Sequence, residues 1–172
     1  VTTGGGGDGY AVMNNYMRML ETNPRARGFS SVLISGPFMP KDRRMEISER
    51  AKCLGVKFYQ FYRQMEKLIA AADVVISMGG YNTVCEILSQ QTVSLLIPRE
   101  TPRREQLIRA EAMAGRGLVD YLPWNCLTPE KLNRKLLNLL ENPDPYQRAV
   151  AGFPLTGLAT MQRRLAFLRN ET

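Results

Sequence analysis

Two glycine-bearing stretches and one carboxylate are the residues of this sequence best suited to chemistry. Thr3, Gly4, Gly5, Gly6, Gly7, Asp8 and Gly9 run directly into a helical pattern over 11–21. Glycines lack a Cβ, so main-chain N–H groups can close on an anion, and the following helix N-terminus adds positive potential. Four consecutive glycines between a strand and a helix cost chain entropy, which favours phosphate contact over a casual flexible turn. Gly4, Gly6 and Gly9 also satisfy G-x-G-x-x-G, but any glycine run does. A dinucleotide site further needs an acid at the end of the second strand for its ribose diol. That strand ends Ser35-Gly36-Pro37-Phe38, with no acid before Asp42, so the NAD reading fails.

The second stretch is Val74-Val75-Ile76-Ser77-Met78-Gly79-Gly80-Tyr81-Asn82-Thr83-Val84-Cys85-Glu86. A strand runs into a glycine pair, and a helix beginning at Thr83 puts Glu86 three residues on. One reading is a capping box, in which Thr83 and Glu86 satisfy each other's backbone donors. The other is a binding site: a first-turn carboxylate accepts both ribose hydroxyls while free amides hold phosphate. The residues alone leave both open.

Composition narrows the classes. The 172 residues suit one well-buried domain, 44% hydrophobic and 23% charged. No apolar run reaches the roughly 18–20 residues of a bilayer span. Histidine is absent, which removes the commonest neutral-pH base and transition-metal ligand. Cys53, Cys85 and Cys126 suit neither a disulfide framework nor zinc, and read as thiols in a reducing compartment. Asp8 and Asp73 are isolated, so no acidic pair suggests a metal. A net charge of +7 attracts anions, but its arginines are dispersed and aromatics interleave only near 59–63, which argues against nucleic acid. With no signal peptide and no initiator Met before Val1, the expectation is an excised piece of a longer chain or a processed product.

Strands are expected at 31–35, 56–60, 74–77 and 93–97, with a weaker one at 118–121. Tyr62, Met65, Leu68, Ile69 and Ala72 mark a helix, with Phe61 and Met65 read as core on spacing. Val84, Ile87 and Leu88 mark another, as do Leu107, Ile108 and Ala112. Thr128-Pro129-Glu130 is a helix start that should stop near Asn142-Pro143. Residues 143–154 read as a loop, and 158–168 as a basic helix striped by Met161, Leu165 and Leu168. Alternating strands and helices predict a Rossmann-like parallel α/β sheet covered on both faces, with ligands at the carboxyl ends of the strands. Residues 1–3 are short for a first strand.

From the glycine loop to the Thr128 helix, the order of elements resembles the donor-binding C-terminal half of the GT-B glycosyltransferases, family 28 in particular. The resemblance rests on strand–Gly-Gly-x-x-Thr-x-x-Glu, a strand ending in proline, and a polar loop rich in Arg and Gln. It implies a UDP-sugar as donor substrate, with N-acetylglucosamine or a related hexose, and no further cofactor or metal. Gly4, Gly5, Gly6 and Gly7 would meet the diphosphate. Tyr62 and Met65 would lie near the base. Gly79, Gly80, Asn82 and Thr83 would approach the α-phosphate, and Glu86 would take the ribose. Residues 99–106, with Arg103, Arg104, Glu105 and Gln106 as the candidate contacts, occupy the loop that touches the sugar, and Glu105 stands where the family has the first of two glutamines.

The resemblance further implies a single nucleotide-sugar-binding domain over 1–172, whose last helix (155–172) packs toward an N-terminal acceptor domain or partner subunit. That half would supply the catalytic base, so no catalytic residue is assigned here and the piece alone is expected to be inactive. The expected location is the cytoplasm, peripheral to the inner face of the membrane. Rival readings are an epimerase or hydrolase on the same fold, and a stand-alone donor subunit of a split glycosyltransferase.

Overall fold

The structure, a computed structural model, describes residues 1–170. Five short parallel strands form its sheet: β1 (Val32–Ile34), β2 (Lys57–Tyr59), β3 (Val75–Ser77), β4 (Ser94–Leu96) and β5 (Asp120–Tyr121). β1 pairs with β2, and β3 with β4 and β4 with β5. Residues 1–3 join the two groups. Thr2 bridges Ile34 on one side and Ser77 on the other, and its amide donates to the Ile76 carbonyl at 2.9 Å. The short first segment is thus a central strand, and the order β2–β1–(1–3)–β3–β4–β5 is that of a doubly wound Rossmann sheet. The order reverses between residues 1–3 and β3, which is where such a sheet opens a crevice at its carboxyl edge.

The two faces are read off alternate strand residues. Ile76 and Leu95 join the large cluster built on helices α1 (Tyr10–Thr22), α2 (Lys41–Cys53) and α6 (Pro129–Glu141). Leu96 packs instead with α4 (Tyr81–Ser89), α5 (Glu105–Ala114) and α7 (Asp144–Ala151), and Val75 with α3 (Met65–Ala70) and α4. α1 buries Val12, Met13, Tyr16, Met17, Met19 and Leu20, a wide stripe at helical spacing. α6 buries Leu132, Leu136 and Leu139 and packs on α1.

Three departures from the sequence reading have physical causes. Residues 143–154 contain helix α7, because Pro143 and Pro145 fall at its N-terminus, where a missing N–H costs nothing, and Tyr146 and Val150 then share a face. α2 has only Ile47 and Ala51 buried, so it carries no apolar stripe for periodicity to find. β2 is an exposed edge strand, unlike the buried β3 and β4. The last helix, α8 (Gly157–Asn170), exposes Met161 (58%) and Leu165 (61%); the rest of the expected 155–172 segment, Glu171 and Thr172, lies outside the described residues. No helix among the described residues is long and apolar enough to cross a membrane.

Candidate functional site

The first corner of the crevice follows residues 1–3. Gly4 and Gly6 turn the chain with φ of +61° and +89°, the left-handed region that favours glycine. A Cβ on Gly6 would fall 2.0 Å from the Ser35 carbonyl oxygen, and one on Gly36 would fall 2.1 Å from that of Gly4. The loop is therefore pressed against the turn after β1, and the Phe38 amide donates to the Gly5 carbonyl at 2.8 Å. The glycines of the run differ: Gly6 is imposed by main-chain packing, Gly5 lies where a Cβ would come within 3.1 Å of the Phe38 ring, Gly4 lines the crevice opposite Thr83, and Gly7 faces solvent. Among the described residues, the amides of Gly5, Gly7 and Asp8 have no acceptor.

The second corner is the turn from β3 to α4. Gly79, with φ +75°, reverses the chain, and α4 begins at Tyr81 with Gly80 as its cap and no side-chain cap bond. This corrects the expected helix start at Thr83. Thr83 is the third residue of the helix and Glu86 the sixth, so the capping box does not form. The glycine turn lets the helix start two residues early. First-turn amides at Tyr81, Asn82 and Thr83 are consequently left without acceptors among the described residues.

A cavity of about 450 Å³ opens between the two corners. Gly4, Gly5, Gly80, Asn82, Thr83 and Glu86 line it, together with Tyr62 from the β2–α3 loop and Met65, the first residue of α3. A Cβ on Gly4 would lie 4.0 Å from Thr83 Oγ1, so the two corners face each other across a narrow gap. Glu86 is half-buried, and its carboxylate has no hydrogen-bond partner among the described residues. Phe61, expected in the core, is 68% exposed and sits at the cavity mouth. Met65 divides its surface between the cavity and the Ile69–Val75–Ile87 cluster. Gly6, Gly7, Gly79, Arg103, Arg104, Glu105 and Gln106 do not line this cavity. A second cavity of about 470 Å³, with Tyr16, Phe29, Leu68 and Leu136 in its wall, shares Thr2, Ile34 and Met65 with the first and includes neither glycine corner.

The loop after β4 approaches the first corner from the other side. Arg99 donates from Nη1 to Asp8 Oδ2 at 2.5 Å and from Nη2 to Glu105 Oε1 at 3.3 Å, and its amide donates to Gln106 Oε1 at 3.1 Å. The Asp8 bond first, and then that of Glu105, raises the already high pKa of this guanidinium. Glu105 is held below the usual carboxylate range, first by its own main-chain N–H at the start of α5 and also by Arg99. Glu105 and Gln106 thus already hold Arg99 in place. Arg109 reaches the second corner: Nη1 donates to the Gly79 carbonyl at 2.6 Å, and its guanidinium carbon lies 5.7 Å from the Tyr81 ring centroid. Sequence reasoning placed Asp8 in the glycine loop and Arg99 in the sugar loop without pairing them, and gave no role to Arg109. The available signals were the place of Arg99 one residue past the strand-ending Pro98, and of Arg109 one helical turn after Glu105.

The sequence profile described as "Glycosyltransferase family 28 C-terminal domain" matches residues 1–160. The chain belongs to this family. It is 33% identical over 97 residues to the UDP-N-acetylglucosamine--N-acetylmuramyl-(pentapeptide) pyrophosphoryl-undecaprenol N-acetylglucosamine transferase of Geobacillus kaustophilus, covering 55% of this chain and 27% of that protein. Among solved structures, MurG of Acinetobacter baumannii superposes with a TM-score of 0.63 at 20% identity, over 87% of this chain and 43% of that one. UDP-GlcNAc 2-epimerase of Neisseria meningitidis does so with 0.59 at 16%, over 87% and 37%. The chain spans about a quarter of the length of the curated relatives it matches. The family 28 domain here therefore has the expected Rossmann-like fold, which it shares with transferases and an epimerase alike. Among its described residues, no three His, Cys, Asp or Glu side chains cluster as a metal-binding set would.

Proposed function

We propose that this family 28 domain binds the donor of a glycosyltransferase, a hexose activated as its uridine diphosphate, and that the whole enzyme moves the sugar to an acceptor hydroxyl. One observation carries the reading: two corners with unengaged amides face each other at the topological switch point, and an unengaged carboxylate, Glu86, lies on the same cavity. The demanding step in such a transfer is departure of the diphosphate. Fixed N–H groups at Gly5 and at Tyr81, Asn82 and Thr83 suit that developing charge without a metal. Glu86 accepts from the ribose hydroxyls, and Tyr62 and Met65 flank the base. Arg103 to Gln106 lie on the sugar side.

The acceptor site and its base belong to an N-terminal domain or a partner subunit, since nothing in this cavity is placed to deprotonate an acceptor hydroxyl. The exposed apolar side chains of α8, Met161 and Leu165, suit packing against that half. A lipid-linked acceptor would bring the enzyme to the cytoplasmic face of a membrane, where a net charge of +7 favours anionic lipid. Crystals soaked with UDP provide the test. The expected result is the diphosphate between Gly5 and Thr83 with the ribose on Glu86; density for UDP at any other place overturns the reading.

A further inference from the structure

We propose that the sugar held here carries a carboxylate, as a uronic acid does, and that Arg109 recognises it. The proposal rests on the donor-site reading above. With the nucleoside between Tyr62 and Glu86 and the diphosphate between the glycine corners, the sugar extends toward the β4–α5 loop and the first turns of α5. Arg99, Arg103, Arg104 and Arg109 come from that region, against Glu100 and Glu105. Arg99 is already neutralised by Asp8 and Glu105. Arg103, Arg104 and Arg109 have no ion pair within 4.0 Å among the described residues, and Glu100 is the one acid of the loop in the same condition.

The hydrogen-bonding inventory points the same way. A neutral hexose presents hydroxyls that both donate and accept, so its site needs acceptors as well as donors. In this loop two side-chain acceptors are engaged by Arg99: Gln106 Oε1 receives its amide and Glu105 Oε1 its guanidinium. What remains among the described residues is an excess of donors, three guanidiniums without an ion pair against the one such carboxylate of Glu100, which suits a group that only accepts. Arg109 is the best placed of them. It is half-buried, pinned by the Gly79 carbonyl at 2.6 Å and lying over the Tyr81 ring, so little side-chain freedom is left to lose on binding. Gly79 directly precedes the corner that takes the diphosphate, so Arg109 is anchored beside that corner, just outside the cavity wall. An acidic sugar departs from the N-acetylglucosamine that the names of the relatives carry.

Calorimetry on the full 172-residue chain tests this with three probes at one salt concentration: UDP, UDP-glucose and UDP-glucuronate. The expected result is saturable binding of UDP and at least roughly tenfold tighter binding of UDP-glucuronate than of UDP-glucose, the size of one good charged pair. Arg109→Gln should remove that preference, weakening UDP-glucuronate by at least about fivefold more than it weakens UDP, and Arg109→Lys, which keeps the charge but not the planar fork, should retain part of it. Binding of UDP with no preference for the glucuronate overturns this proposal alone. So does an Arg109→Gln variant that weakens all three ligands equally, since Arg109 would then act only on the diphosphate corner through the Gly79 carbonyl. Absence of saturable UDP binding overturns both this proposal and the reading beneath it.

Discussion

Arg99 reaches back from the end of β4 to pair with Asp8 in the glycine loop at 2.5 Å, and the pair spans the carboxyl edge of the intervening strand β3. Two loops separated by 91 residues in sequence are thereby strapped together beside the donor crevice. Both side chains are partly exposed, at 26% and 49%, so the pair contributes under about 1 kcal/mol to folding. Its larger effect is to hold a carboxylate next to a loop that receives an anion. Asp8→Asn should therefore leave the melting temperature nearly unchanged and tighten UDP binding by about two- to fivefold at low salt. The gain should shrink as salt rises. Weaker binding by the variant would mean that Asp8 orders the loop more than it repels the ligand.

Glu86 is predicted to be the residue whose loss is felt most by the nucleoside. A hydrogen bond to a charged group contributes about 1.5–3 kcal/mol, so Glu86→Gln should weaken UDP by roughly 10- to 100-fold. Because the carboxylate bonds to nothing else among the described residues, the variant should fold with an unaltered circular dichroism spectrum and melting temperature. Comparing UDP with 2′-deoxy-UDP sharpens the measurement. The deoxy nucleotide should bind the wild type poorly and lose little more on mutation, and equal losses for both would remove Glu86 from the ribose.

The four consecutive glycines are not equivalent, and alanine substitutions should separate them. Gly6→Ala drives a Cβ to within 2.0 Å of the Ser35 carbonyl at a φ of +89°, so the loop and the turn after β1 must part. A loss of about 3 kcal/mol or more is expected, enough to lower the melting temperature by many degrees. Gly7→Ala meets nothing within 4 Å and needs no left-handed backbone, so its melting temperature should match the wild type. Equal stability of the two variants would show that the loop is free to shift and is not pressed onto Ser35.

How much of this was legible in the residues follows from which forces leave a local trace. Strands such as 93–97 and helices such as the one capped by Thr128 declare themselves through apolar runs, periodicity and a hydroxyl before proline. Both glycine corners were legible for the same reason, because a missing Cβ is a local fact. α2 was not, since only Ile47 and Ala51 are buried and its other residues face water. α7 was hidden by its own prolines, which read as breakers and act as a helix start. Phe61 was assigned to the core on spacing, but the α3 helix begins only at Met65 and leaves the ring outside. The contacts of Arg99 with Asp8 and of Arg109 with Gly79 join residues far apart in sequence, and no pattern along the chain announces them.

Helix α6 offers a control remote from the crevice. Thr128 accepts the Lys131 amide at 3.3 Å, and α6 in turn packs on α1, the helix that follows the glycine loop. Removing the cap with Thr128→Ala should cost about 1 kcal/mol. For a domain of this size that is roughly 2–4 °C in melting temperature. UDP affinity should not change, because the helix as a whole still docks through Leu132, Leu136 and Leu139. A loss of affinity in parallel with stability would indicate that α6 and α1 transmit strain to the first corner.

The titration of Glu105 reports on the strap from its other end. Its carboxyl is held below the ordinary value of about 4.5, first by its own main-chain N–H and also by Arg99. A depressed pKa in the folded chain means that the charged form is the one stabilised. The contribution is therefore complete above the ordinary carboxylate range and is lost as pH falls through the depressed value, with no effect near neutrality. Carbon-detected NMR should place the Glu105 midpoint below the ordinary glutamate value of about 4.5. Arg99→Met should move it upward but not all the way, because the helix amide remains. An unmoved midpoint would mean that Arg99 does not face Glu105 in solution, and the strap would then run from Arg99 to Asp8 alone.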